Sequence, residues 1–162
     1  MKIEKIGLGG GCHWCTEAFF QSLKGVEKVE QGWICSIAPN DSFSEAVIVH
    51  YNPILIPLKI LIAIHLHTHA STKKHRFRKK YRSAVYVFDG KVAEANALIS
   101  ENHVDFDEAI ITEALLFIAF KLNTGKQQDY YKKNKEGVFC ERYIAPKLKM
   151  IAIEYSNFYQ PI

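Results

Sequence analysis

The sequence predicts an α+β fold, a ferredoxin-like split βαβ sandwich with a C-terminal extension. Three observations predict it. Over residues 2–88 the elements read strand, helix, strand, strand, helix, strand, which is the split βαβ order. Glycine clusters and turn dipeptides fall between these elements rather than inside them. The chain of 162 residues is 48% apolar and 23% charged, so it can bury one sizeable core.

Residues 2–8 are a short strand (Ile3, Ile6, Leu8) ending in Gly9-Gly10-Gly11, which permit a sharp turn. Residues 12–23 are a helix with Cys15, Ala18, Phe19 and Leu23 on one stripe, ended by Gly25. Val26–Ile37 is one strand or two. Residues 44–51 alternate, with Glu45, Val47, Val49 and Tyr51 on one face, before Asn52-Pro53 turns the chain. An amphipathic helix covers 57–67, a buried strand 82–88 and a further helix 91–103. The run 110–120 is nearly continuous in apolar residues towards its end and is taken as a strand. Thr124 and Gln127 form a capping box for a helix to about Lys133, and Pro146 suits the first turn of a last helix. No repeat or linker divides the chain. One domain over 1–162 is expected, with a tail from about 135 to 162 that carries Cys140.

Lysine and arginine exceed acidic residues by 21 to 17, a mild net charge of +4. No apolar run approaches the ~18 residues of a membrane span. The opening residues lack the pattern of a secretory signal. Four cysteines are too few for a disulfide scaffold. A cytoplasmic protein with reduced thiols is expected, with neither membrane nor nucleic acid as partner.

The sharpest chemical feature is Gly9-Gly10-Gly11-Cys12-His13-Trp14-Cys15 at a strand-to-helix junction. A thiol there sits in the positive end of the helix dipole, where backbone amides stabilise its thiolate. The glycines leave room for substrate, and Trp14 offers a flat apolar wall. Against this stands the ordinary role of a free cysteine as a small buried residue. Cys12 and Cys15 also spell C-x-x-C, the spacing of a redox dithiol or half a zinc site. His65 and His69, on one helical face, are possible further ligands, with His67 pointing away. No second ligand pair completes a standard zinc pattern, so packing at the core edge is the expected role of these histidines. The basic run Lys73, Lys74, Arg76, Arg78, Lys79, Lys80 and Arg82 reads as a solvated loop or an anion-binding patch. Glu45 is either a solvent-facing strand-start residue or a partly desolvated general acid.

These segments resemble A-type peptide methionine sulfoxide reductases. The stretch GGGCHWCTEAFFQSLKGVEKVEQGW, residues 9–33, is similar to the family signature Gly-Cys-Phe-Trp-Gly/Cys with a glutamate two residues on, here Glu17. SEAVIVHYNP (44–53) resembles the family's A-E-A-V…Y-D-P strand, and HTHAST (67–72) a degraded N-H-D-P-T. YRSAVY (81–86) matches Y-R-S-A-I/V-Y, and 125–150 resembles the C-terminal H-Q-x-Y-L…Y-C segment. The resemblance implies an oxidoreductase of protein repair under oxidative stress that reduces methionine-S-sulfoxide, peptide-bound or free. It implies Cys12 as nucleophile, Glu45 as proton donor, Tyr81 as a second donor to the sulfoxide oxygen, and His13 and Trp14 at the substrate methyl group. It implies resolution by Cys140, through a Cys12–Cys140 disulfide, with Cys15 as the alternative. No bound cofactor or metal is implied; an external dithiol such as thioredoxin is. Departures from the pattern are His13 for phenylalanine, Arg76 for an aspartate, Ala70 for the aspartate of N-H-D-P, and a loop shortened to residues 36–42 without the family's oxyanion tyrosine. Two rival readings are a different thiol–disulfide oxidoreductase using Cys12 and Cys15, and a non-catalytic zinc- or anion-binding module.

Overall fold

In the computed structural model, which describes residues 2–162, the first six elements appear in the expected order. They are β1 (Glu4–Gly9), α1 (His13–Gln21), β2 (Val26–Cys35), β3 (Ser44–Tyr51), α2 (Leu58–Thr68) and β4 (Ala84–Val87). The sheet order is β5-β4-β1-β3-β2-β6. Its four central strands, β4-β1-β3-β2, have the antiparallel ferredoxin-like arrangement. Helix α3 (Val92–Ser100) follows β4, and a short 3-10 turn spans His103–Asp105.

The apolar run 110–120 forms two strands instead of one. β5 (Glu113–Leu116) pairs parallel with β4, and β6 (Ala119–Leu122) pairs antiparallel with β2. Between them, the Phe117 amide donates to Val87 O at 3.0 Å and the Ile118 amide to Cys35 O at 3.2 Å. Two successive residues thus reach both sides of the sheet, which curls around a small second core of Ile34, Ala46, Ile48, Ala84 and Tyr86. Ala114 and Leu116 pack on the main core and Leu115 and Phe117 partly against the second, so the run is apolar on both faces and shows no period.

The main core lies on the other face. Ile6, Leu8, Val47, Val49 and Val85 of the sheet pack on Phe19 and Phe20 of α1 and on Leu61, Ile62 and Leu66 of α2. The expected capping box at Thr124 does not open a helix. Asp129 takes φ 57°, outside helical geometry, so α4 begins only at Tyr130 and ends at Asn134. Hydrogen bonds from elsewhere hold this bend. Glu17, 1% exposed, accepts the Asp129 and Tyr130 amides at 3.0 and 3.1 Å. Gln31 donates to Glu17 at 2.9 Å and exchanges hydrogen bonds with Gln128. A π-helical turn (Cys140–Ile144) then leads into α5 (Ala145–Glu154), with Pro146 in its first turn as expected.

His65 of α2 is a load on this core. It is 1% exposed and donates from Nε2 to Gly9 O at 2.8 Å. Burial pulls its pKa from 6.5 to about 4. The unfolded chain therefore binds the proton more tightly, and stability rises with pH across this window. The contribution is complete above about pH 6.5 and is lost as pH falls towards 4, an amount of about 3 kcal/mol at ~1.4 kcal/mol per unit. Urea midpoints measured from pH 7 to 4.5 should fall accordingly. His65→Leu should flatten that dependence; an unchanged slope would show that His65 is not the titrating group.

Candidate active site

The three glycines carry the chain from β1 into α1. Gly10 has φ +149°, and a Cβ there would lie 2.5 Å from the His69 ring, so only glycine fits. Arg78 fixes the same turn from the basic run, donating to Gly10 O at 2.8 Å and Tyr81 O at 3.0 Å, and also to Ala70 O. Cys12 is thereby delivered as the N-cap residue of α1. Its carbonyl accepts the Cys15 and Thr16 amides, each at 3.1 Å.

The Cys15 thiol donates a hydrogen bond to Cys12 Sγ, and the Trp14 and Cys15 amides add theirs. Together they hold the Cys12 thiol below its ordinary 9.0, against burial and the charge of Glu45. The Cys12 contact, then burial, then the charges of Cys12, Cys140 and Glu45 push Cys15 far upward, so it stays a thiol. The two sulfurs of C-x-x-C are therefore unequal, one poised as nucleophile and one as donor.

Glu45 opens β3, opposite Trp33 of β2, and is 7% exposed. Oε1 accepts the His13 amide at 3.2 Å and faces His13 Nε2 at 3.4 Å; Oε2 faces Lys80 Nζ at 3.7 Å. The desolvated position, one of the two sequence readings, is the one observed. The His13 ring lies edge-on to Trp33, 5.2 Å between centroids, and bonds Gly32 O through Nδ1 at 2.8 Å. Burial lowers its pKa. The ring sits beneath Glu45 and is not on the wall of the neighbouring cleft.

Trp14 is stacked on Tyr130, 4.0 Å apart and 2° from parallel, with Phe139 edge-on at 5.6 Å. One face of the expected apolar wall is thus covered. The open cleft beside Glu45, about 390 Å³, has Trp33, Phe43 and Phe77 as apolar walls and Arg76 and Lys80 among its polar ones. Tyr81 joins this group through Lys80, whose ammonium lies 5.0 Å from the Tyr81 ring. The Tyr81 contact and the charges of Tyr81 and Glu45 raise the Lys80 pKa. Lys80 was visible in the sequence only as one charge of a basic run. Its place at Glu45 follows from the Glu45 amide bonding Lys80 O at 2.9 Å, a long-range pairing without a local signal.

Cys140 is fully buried at the start of the π-helical turn, next to Phe139, and its charge is felt at Cys15. Burial raises its pKa. The structure thus joins Cys12, Cys15, His13, Glu45, Lys80 and Tyr81 in one neighbourhood, with Cys140 on the Cys15 side. All four cysteines are free thiols.

The other histidines are engaged elsewhere. His69 donates from Nδ1 to His65 O at 2.5 Å and accepts at Nε2 from Ser83 Oγ at 2.7 Å. His67 bonds Ala63 O and faces Asp105. Among the described residues no group of three His, Cys, Asp or Glu is arranged to hold a metal ion. No helix among them is long and apolar enough to cross a membrane.

Comparison with known proteins gives one consistent result. The chain is 32% identical over 177 residues to a peptide methionine sulfoxide reductase of Chromobacterium violaceum, covering 98% of this chain and 99% of that one. It is 30% identical to that of Psychrobacter sp., covering 96% and 98%. Reduced Mxr1 of Saccharomyces cerevisiae superposes with a TM-score of 0.72 at 22% identity, over 84% of this chain and 88% of that one. Methionine sulfoxide reductase A of Corynebacterium diphtheriae gives 0.70 at 22% identity, over 83% and 76%. The family profile described as peptide methionine sulfoxide reductase matches residues 4–158, and the chain belongs to that family of oxidoreductases.

Proposed function

We propose that this protein reduces methionine-S-sulfoxide, peptide-bound or free, to methionine, with Cys12 as nucleophile and an external dithiol of the thioredoxin type as reductant. The observation that carries the reading is a thiol at the α1 N-terminus whose pKa is held below its ordinary value beside a buried glutamate. The Cys12 thiolate attacks the sulfoxide sulfur. Glu45 supplies the proton that the sulfoxide oxygen takes up, and Lys80 and Tyr81 are the further hydrogen-bond donors to it in this reading. Net, thiolate, proton and sulfoxide give methionine and the Cys12 sulfenic acid. Trp33, Phe43 and Phe77 offer the methyl group apolar contact, in addition to the free surface of Trp14. The free thiols suit a reducing compartment, for which we assign the cytoplasm.

For recycling, the Cys12–Cys15 contact favours first capture by Cys15, which forms a disulfide and releases water. Cys140 then attacks Cys15 Sγ. Cys12 leaves readily because its pKa is low. On this route Cys15 resolves the sulfenic acid and Cys140 recycles Cys12; direct capture by Cys140, giving the Cys12–Cys140 bridge, is the other route, and the external dithiol reduces either bridge. A complex of yeast Mxr1 with Trx2, whose Mxr1 chain has this fold at a TM-score of 0.62, shows a relative bound to such a partner.

Turnover of both sulfoxide epimers with a dithiol tests the reading: the S epimer should be reduced, and failure with both would overturn it. Cys12→Ser should abolish turnover in a folded protein. Glu45→Gln should slow it by about 10²–10⁴ with little change in KM; an unchanged chemical rate would remove Glu45 from the reaction. Alkylation of Cys12 by iodoacetamide should rise with pH, with a midpoint below 9.0. Cys15→Ala, which removes the donor, should move that midpoint up, whereas Cys15→Ser should move it less. Mapping after one turnover without reductant should find Cys15–Cys140 in the wild type and Cys12–Cys140 in Cys15→Ser. Full dithiol-coupled turnover of Cys140→Ser would show that Cys140 is idle.

A further inference from the structure

His13 stands where the family has phenylalanine, yet it is not a passive filler. Its Nδ1 lies 2.8 Å from Gly32 O. A carbonyl oxygen only accepts, so Nδ1 carries the hydrogen. In the neutral ring Nε2 is then a bare lone pair, and it faces Glu45 Oε1 at 3.4 Å. An ionised carboxylate oxygen also only accepts. Both side chains are about nine-tenths buried, 7% and 10% exposed, so two bare acceptors would face each other there with little solvent between them, and a proton between them removes that repulsion.

We propose that His13 and Glu45 share one proton, and that His13 is a positioning residue that keeps this proton at Glu45 for delivery to the sulfoxide oxygen. The inference rests on the reading of the site as a sulfoxide reductase and names what loads its acid. The ionisable groups that face the pair are Lys80 Nζ, from the loop before β4 and 3.7 Å from Oε2, Cys12 immediately before His13, and Tyr81 beside Lys80. A phenylalanine at 13 would leave no ring nitrogen to meet Oε1.

The ring is also fixed in place. Its backbone amide is bonded to the same Oε1, and Gly32 is clamped so closely that a Cβ there would lie 2.0 Å from Lys121 O. The carbonyl that sets the tautomer therefore cannot turn away without breaking the β2–β6 pairing. In the reaction the shared proton passes to the sulfoxide oxygen. After Cys12 Sγ has attacked the substrate sulfur, the protonated oxygen passes to Cys12 Sγ as the substrate's S–O bond and the transient Cys12–substrate sulfur bond break, so the substrate sulfur is reduced to methionine and Cys12 is oxidised to the sulfenic acid. Water reprotonates the His13–Glu45 pair before the next turnover.

The test is the pH dependence of kcat with a methionine-S-sulfoxide peptide. In the wild type, the fall in kcat at high pH reports loss of the shared proton. His13→Phe keeps the ring volume and removes both nitrogens. It should move that fall to lower pH by about one unit, lower kcat at pH 8 about tenfold, recover towards wild type near pH 6, and leave KM within about twofold. His13→Gln, which hydrogen-bonds but does not titrate, should follow the phenylalanine variant. A profile unchanged in His13→Phe would overturn the proposal. Long-range ¹H–¹⁵N spectra of the reduced wild-type protein decide the point without any variant. Nδ1 should carry a proton at neutral pH, and a neutral ring protonated only at Nε2 would overturn proton sharing. If the wild type reduces neither epimer, the reductase reading fails, while the spectra still decide the state of the pair.

Discussion

The hydrogen bond from the His13 amide to Glu45 Oε1 joins the first turn of α1 to the first residues of β3. Everything chemical in the protein depends on that junction. The nucleophile is the residue before His13, and the acid is the acceptor of its amide. One bond therefore sets the distance between the group that attacks sulfur and the group that attends oxygen. The sandwich makes this possible because α1 follows β1 directly, and β1 and β3 are neighbours in the sheet. The helix start and the β3 start consequently meet at one end of the sheet, where the glycine turn leaves space for a ligand.

Supports are layered around this junction. From one side Arg78 donates to Gly10 O and Tyr81 O, tying the turn before Cys12 to the chain before β4. From the other side Glu17, one turn into α1, takes the amides of Asp129 and Tyr130 and so sets the ring of Tyr130 on Trp14. Burial opposes the charge on Glu17 and raises its pKa, while three hydrogen bonds offset the cost. Such networks hold more strongly when complete, because each member left without a partner carries a desolvation penalty of about 1–3 kcal/mol. The Trp14 indole N–H, buried without a partner among the described residues, is one polar atom that bears it beside the thiols.

Much of this was readable from the chain alone, for physical reasons that can be named. The split βαβ order follows from local periodicity and turn residues, and β1, α1, β3, α2 and α5 appear within a few residues of where those signals place them. The position of Cys12 follows from glycines ahead of an amphipathic stretch. What failed was non-local. Thr124 and Gln127 are good capping residues, but Glu17 and Gln31, about a hundred residues earlier, hold the segment in a turn instead. The 110–120 run carries no period because both its faces are covered, so one strand could not be told from two. Lys80 and Arg78 look alike in a basic run. Only the fold turns Arg78 onto four carbonyls and leaves Lys80 beside Glu45.

A buried histidine–glutamate contact is a costly way to fill a space that an aromatic ring would fill with apolar surface. Replacing buried charged or polar pairs by apolar side chains of similar volume is often neutral or stabilising. Stability alone therefore does not account for His13. Trp33 narrows the explanation further, because it is the residue directly across from Glu45 in the β2–β3 ladder and has no hydroxyl to offer the cleft. Lys80 approaches Oε2 and His13 Nε2 meets Oε1, so each oxygen of the carboxyl group has a nitrogen beside it. Lys80 meets one carboxyl oxygen, and an imidazole whose tautomer is fixed by Gly32 O meets the other. On this view the glutamate works between two nitrogens, one from the basic run and one from the first turn of α1.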